Sequence, residues 1–208
     1  MIIVFGSTKG GVGKSTLSLA MANYLTQEHR KKLRVLDLDF KQSLVDIAEK
    51  TKILEISPLY PIQAKENISS ELLKASGAES TENIIVDLPC YLDAKAHYSF
   101  LRSADLICCP FAYDEFTIKA TLLFALLAVK VNPLAPIVFI PNRIKKNVFI
   151  ESKQEIEKVL SGFGTISPTL YDKIDFQRIS NVHTPATLLS TLLPALDHLY
   201  ETFMIKKN

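Results

Sequence analysis

The eight residues Lys9-Gly10-Gly11-Val12-Gly13-Lys14-Ser15-Thr16 constrain this chain more than any other feature. They follow an apolar run, Met1 to Phe5, and open a helix-patterned segment, Leu17 to Thr26. A glycine-rich turn between a strand and a helix is the setting in which such a sequence binds phosphate. Glycines at 10, 11 and 13 let the backbone turn and bring its N–H groups against phosphate oxygens, while the following helix points the positive end of its dipole at the same anion. In this arrangement Lys14 sits on the β- and γ-phosphates of a nucleotide, Ser15 places its hydroxyl on Mg2+, and Thr16 begins the helix in a structural role. Two details depart from the general pattern. The loop carries a second lysine, Lys9, and Thr8 stands where a glycine is usual.

Lys9 and the residue before it resemble the deviant phosphate loop, KGGxGK[ST], of the ParA/MinD family of ATPases. The resemblance implies that Lys9 reaches across a dimer interface to the phosphates of the neighbouring subunit. It also implies a second motif, a strand ending in Asp-x-Asp, which Arg34-Val-Leu-Asp-Leu-Asp39 supplies. Strand alternation puts Asp37 and Asp39 on one face, near the γ-phosphate. By resemblance Asp37 takes the magnesium side and Asp39 positions the attacking water. The third motif, Asn83-Ile-Ile-Val-Asp-Leu-Pro89, resembles the family's Walker B strand, with Asp87 binding the Mg2+ shell through water. After the apolar run Pro136 to Ile140, Asn142 and Arg143 lie where the family's Asn, often followed by Arg, contacts adenine; helix capping is the alternative reading of that pair. The implied nucleotide contacts are thus Gly10, Gly11, Val12, Gly13, Lys14, Ser15, Thr16, Asn142 and Arg143, and the implied metal set is Ser15, Asp37 and Asp87.

The chain also leaves the family pattern. Relatives usually continue Asp-x-Asp with Pro-Gln, whereas here Phe40-Lys41 comes first and Gln42 follows. Cys90 replaces a residue that is often proline or glycine. With Cys108 and Cys109 it makes three cysteines, two of them inside an apolar run, which suits reduced buried thiols. No Cys-x-x-Cys is present, and adjacent cysteines on a strand point to opposite faces, which argues against an iron-sulfur or metal-carrier role.

Short runs rich in branched residues, Ile2–Phe5, Leu33–Leu36, Ile53–Ile56, Ile84–Val86, Leu106–Cys109 and Ile137–Ile140, read as strands buried on both faces. Helix candidates fall between them, near 15–27, 41–50, 68–76, 92–102, 114–131 and 147–161, and Ser57 to Asn67 reads as a surface connection. The expectation is one doubly wound α/β domain over 1–208, a mostly parallel sheet with helices on both faces and the nucleotide at the carboxyl ends of its strands. At 208 residues, 48% of them hydrophobic, the chain is long enough for one substantial core. No stretch of about 18 apolar residues occurs, and Met1 leads straight into the first strand. A cytoplasmic protein without membrane span or signal peptide is expected.

The start leaves no room for the amino-terminal DNA-reading domain of larger relatives, so a bare ATPase is expected. From Ala186 to Ile205 there is no lysine or arginine, and Leu188, Leu192, Leu196, Leu199 and Phe203 form a helical stripe. A core-facing helix fits that pattern better than the basic amphipathic membrane anchor of MinD-like relatives. Net charge is only +2, with basic residues at Arg143, Lys145 and Lys146 and again at Lys173, Arg178, Lys206 and Lys207. In ParA-type relatives such scattered residues form a non-specific, salt-sensitive DNA surface once ATP has paired the subunits. The leading expectation is therefore a ParA-type partition ATPase: ATP and Mg2+ close a homodimer, the dimer holds DNA, and slow hydrolysis stimulated by a ParB-like partner resets it. The alternatives are an ATPase that positions a protein assembly without DNA, MinD-like or associated with conjugation, and a metabolic P-loop enzyme. Lys9 speaks against the last, because a single-subunit enzyme would not need it.

Overall fold

The computed structural model describes residues 1–64, 82–92 and 95–205. The helix expected at 68–76 and the basic residues Lys206 and Lys207 lie outside them. The described strands are β1 (Ile2–Phe5), β2 (Leu33–Asp37), β3 (Ile62–Ala64), β4 (Asn83–Asp87), β5 (Leu106–Phe111), β6 (Ile137–Pro141) and β7 (Thr165–Ile166). The described α-helices are α1 (Lys14–Gln27), α2 (Ser43–Ile53), α3 (Lys95–Arg102), α4 (Glu115–Val131), α5 (Lys153–Leu160) and α6 (Ala186–Leu199). The strands form one sheet in the order β3-β2-β4-β1-β5-β6-β7, and every pairing is parallel.

Strand alternation sorts the core onto two faces. Ile3, Phe5, Ile85, Cys108 and Val138 pack with α1 and α6 on one side, while Ile2, Val4, Val86, Cys109 and Phe139 pack with α4 on the other. Helices thus cover both faces, as runs of branched residues without polar alternation require. Cys108 and Cys109 point to opposite sides as free, buried thiols. In α6 the stripe Leu188, Leu192, Leu196 and Leu199 is buried, and Phe203, in the π-helical turn Tyr200–Met204, packs against the same core. Among the described residues no helix is long and apolar enough to cross a membrane.

The expected strand at Ile53–Ile56 is not formed. Helix α2 runs through Ile53, the Leu54 amide donates to the Lys50 carbonyl, and Ile53 and Leu54 are 79% and 67% exposed. Thr51 and Leu44 are the buried residues of α2, so the apolar run continues a helix on its outer side, with no ladder partner. The strand beside β2 is instead β3, inside the segment expected to be a plain connection; its central Gln63 hides it from apolar patterning. Helix α5 begins at Lys153, later than the expected 147, and Asn147 has φ 64. The two-residue β7 at the other edge is too short to carry a pattern.

Register fixes where the site lies. Phe5 pairs with Asp87, and Asp87 with Asp37, so the ends of β1, β4 and β2 stand level. The chain leaves β1 between β4 and β5, where the order reverses, and a crevice opens at such a point beyond the carboxyl ends of the strands.

Candidate nucleotide site

Residues 6–13 turn from β1 into α1. Gly11 and Gly13 adopt φ of 77 and 95, a left-handed backbone that disfavours any side chain, and Gly13 caps α1. The first turn of α1 has no acidic residue, so its amides and the positive end of its dipole face the loop uncompensated. Lys14 is buried, its Nζ donating to the Lys9 carbonyl at 3.4 Å and to Cys90 Sγ at 3.1 Å. Lys9 behaves oppositely. Its side chain is exposed, on the side of Asp114, the residue that caps α4. Burial raises the Asp114 carboxyl, but hydrogen bonds from Thr117 and the Lys9 charge together outweigh it, so it titrates below its ordinary value.

The three aspartates divide into two buried and one half-exposed. Asp37 accepts from the backbone amides of Asp39 (3.1 Å, Oδ1), Leu44 (2.9 Å, Oδ2) and Val45 (3.3 Å, Oδ2). Burial raises its titration, the three amides oppose that rise, and the Asp39 charge adds to it. Asp39 accepts from the Lys41 amide and borders the open cleft. Asp87 is 1% exposed, and its Oδ1 has no hydrogen-bond partner. Burial pushes its carboxyl up to about 7; the Ser15 hydroxyl lowers it, the Asp37 charge raises it, Lys14 lowers it and Asp39 raises it.

Among the described residues no cluster of three or more His, Cys, Asp or Glu could hold a metal ion alone. A magnesium site of the nucleotide type needs only one or two protein oxygens, with phosphates and water completing the shell. The orphaned Asp87 oxygen beside the Ser15 hydroxyl fits that requirement, since an unpaired buried carboxylate oxygen is costly unless a cation or water meets it.

A cleft of about 1720 Å3 opens over the loop. It exceeds the roughly 300–1,000 Å3 of ordinary ligand pockets because it runs on to a wall made by Asp172, Ile174 and Gln177. Thr8 to Gly11 and Gly13 to Thr16 line it with Asp39, Asn142 and Arg143, whereas Val12 is buried and Asp37 and Asp87 lie behind the surface. Asn142 and Arg143 do reach the site, but both grip the loop itself. Asn142 Nδ2 donates to the Val12 carbonyl, and the Arg143 guanidinium to the Gly11 carbonyl, each at 2.8 Å. Sequence reading missed buried His97 and exposed Tyr91 as lining residues, with the wall of Asp172, Ile174, Phe176 and Gln177; none of them belongs to a motif, and Lys173 beside them was noted only for its charge.

The fold is similar to several solved structures. A plasmid partition protein of Borrelia burgdorferi B31 bound to AMPPNP superimposes with a TM-score of 0.72 at 20% identity, over 97% of this chain and 98% of that one. The MinD cell division protein of Aquifex aeolicus gives 0.71 at 20% identity, covering 100% and 98%. Apo McdA of Cyanothece gives 0.69 at 15% identity, covering 96% and 98%. No curated protein sequence matches. The family model described as the CobQ/CobB/MinD/ParA nucleotide binding domain matches residues 3–185, nearly the whole chain, and with the phosphate loop, the two aspartate strands and the parallel sheet in place the chain belongs to that ParA/MinD-type family of nucleotide-binding ATPase domains.

Proposed function

We propose that the chain, as one domain, is a ParA-type ATPase that pairs on binding ATP and Mg2+, holds DNA as a dimer, and is reset by slow hydrolysis that a ParB-like partner accelerates. One observation carries this reading: of the two loop lysines, Lys14 is buried within the site while Lys9 is exposed at its mouth. Lys14 serves the phosphates of its own subunit. Lys9, directed outward, suits those of a second subunit.

The loop amides of residues 10–16 cradle the phosphates, and the exposed parts of the cleft toward Asn142 and Arg143 take the base. Ser15 and Asp87 hold Mg2+, which when bound screens the charge on the β- and γ-phosphates. Asp39, half-exposed and bordering the cleft, orients the attacking water. Contacts that need the γ-phosphate vanish on hydrolysis, which makes the pairing a switch.

DNA contact rests on charge alone. Lys145 and Lys146 are exposed, the latter with its ammonium over the Tyr171 ring, whereas Arg178 pairs with Asp175 and Lys173 donates to the Thr187 carbonyl. Among the described residues neither of the first two is tied to a carboxylate or carbonyl, so they are the better phosphate contacts, acting without base reading on the nucleoid in the cytoplasm.

The test is light scattering of the purified protein with ATP, ADP or no nucleotide, each with Mg2+, alongside Asp39→Ala. The parent should become dimeric with ATP only, and the variant should bind ATP, hydrolyse it on the order of 10²-fold more slowly and accumulate dimer. A monomer under every condition would refute the pairing. Parent-like turnover by Asp39→Ala would remove Asp39 from the water-positioning role.

A further inference from the structure

Between β2 and α2 the chain makes a tight loop anchored to the end of β4 and closed on itself. The Leu38 amide donates to the Asp87 carbonyl at the end of β4, and within the loop the Gln42 amide donates to the Asp39 carbonyl and the Lys41 amide to Asp39 Oδ1, each at 3.0 Å. Gln42 takes φ 48, and Phe40 stands 98% exposed at the tip. One buried side chain joins the two ends. Asp37, fully buried, accepts from Asp39 at the start of the loop and from Leu44 and Val45 in the first turn of α2.

We infer that Asp37 is a positioning residue, which shapes this loop so that Asp39 faces the nucleotide, and that it stands outside the magnesium shell. The inference rests on the proposed role of Asp39 in hydrolysis. Its physical basis is the geometry of the carboxylate. Both oxygens point to backbone amides, three bonds in all, and one of them satisfies helix-start amides that have no intrahelical partner. Oδ2 could turn toward a cation only by releasing the Leu44 and Val45 amides inside a buried site, where unpaired donors are costly, and Oδ1 is engaged by the Asp39 amide of the loop it anchors. Asp87 needs no such exchange, because its Oδ1 is already without a partner. The level register of Asp37 and Asp87 therefore joins two carboxylates with different tasks, one holding the backbone and one open to a ligand.

The test compares Asp37→Asn with the parent. Asparagine keeps one acceptor but turns an NH2 group toward donors. ATP turnover is measured against Mg2+ concentration, with nucleotide affinity measured separately. The expected result is kcat lowered about tenfold or more, with the half-saturating Mg2+ and the ATP affinity within about threefold of the parent. A half-saturating Mg2+ raised tenfold, with kcat restored at saturation, would overturn the inference, and so would parent-like kinetics. If the variant does not fold, amide exchange in the parent decides. Protection of the Asp39, Leu44 and Val45 amides should persist when Mg2+ is added to the nucleotide complex, and its loss at Leu44 and Val45 would place Asp37 on the metal. A parent that binds Mg-ATP but does not hydrolyse it would instead count against the proposed function, and the exchange measurement would still judge Asp37.

Discussion

Asn142 occupies the space into which a side chain on Gly13 would grow. Its Nδ2 would lie 2.3 Å from a Cβ built on Gly13, and the same nitrogen donates to the Val12 carbonyl at 2.8 Å. The end of β6 thus fixes the phosphate loop from outside, and the loop has room for this only because residue 13 is glycine. Gly13→Ala combines that clash with a left-handed backbone at φ 95. It should cost roughly 1–3 kcal/mol of stability and weaken ATP binding. Urea unfolding and ATP titration check both, and unchanged values would mean that the loop tolerates the displacement of Asn142.

The two lysines should separate cleanly. Lys14→Ala removes a buried ammonium from the phosphates and should weaken ATP binding about a hundredfold. Lys9→Ala should leave the affinity of a single subunit within about threefold, yet abolish ATP-dependent pairing and hydrolysis. ATP titration below the pairing concentration, with size-exclusion runs above it, measures the two effects. Normal dimers from Lys9→Ala would sink the bridging role.

Asp87 makes the nucleotide-free protein pH-sensitive. Its carboxyl is raised from 3.8 to about 7 in the fold. Between those values the native state binds more protons than the unfolded chain, so its stability falls as pH rises through the window. Asp87→Asn removes this cost. The variant should be more stable than the parent at pH 8 by roughly 1–3 kcal/mol, with the difference shrinking toward pH 5 as the native carboxyl takes up its proton. Because Mg2+ competes with that proton, magnesium should bind the parent more weakly below pH 7, by up to about tenfold per unit. Chemical unfolding at several pH values and Mg2+ titrations measure this. An advantage for the variant that is equal at pH 5 and pH 8 would contradict it.

The sheet and the placement of residues at its strand ends were legible because both rest on local rules. Branched runs mark strands buried on both sides, and Lys14, Ser15, Asp37, Asp39 and Asp87 each stand at a fixed place relative to such a run. Long-range contacts were not legible. Nothing near Asn142 announces that its amide will reach Val12, and nothing in Leu38 to Val45 shows that Asp37 will be surrounded by three amides. The run Ile53–Ile56 misled because an apolar, branched segment reads the same on the outer end of a helix as in a strand, and only the burial of Leu44 and Thr51 decides between them.

The most direct test of the central claim is binding of the purified protein to random-sequence duplex DNA at low and moderate salt, with ATP, with ADP and without nucleotide. Binding is expected with ATP alone, falling steeply as salt rises and weakened in Lys9→Ala together with pairing. An ATP-dependent dimer that binds no DNA under any of these conditions would contradict it, and would point to an ATPase that positions a protein assembly.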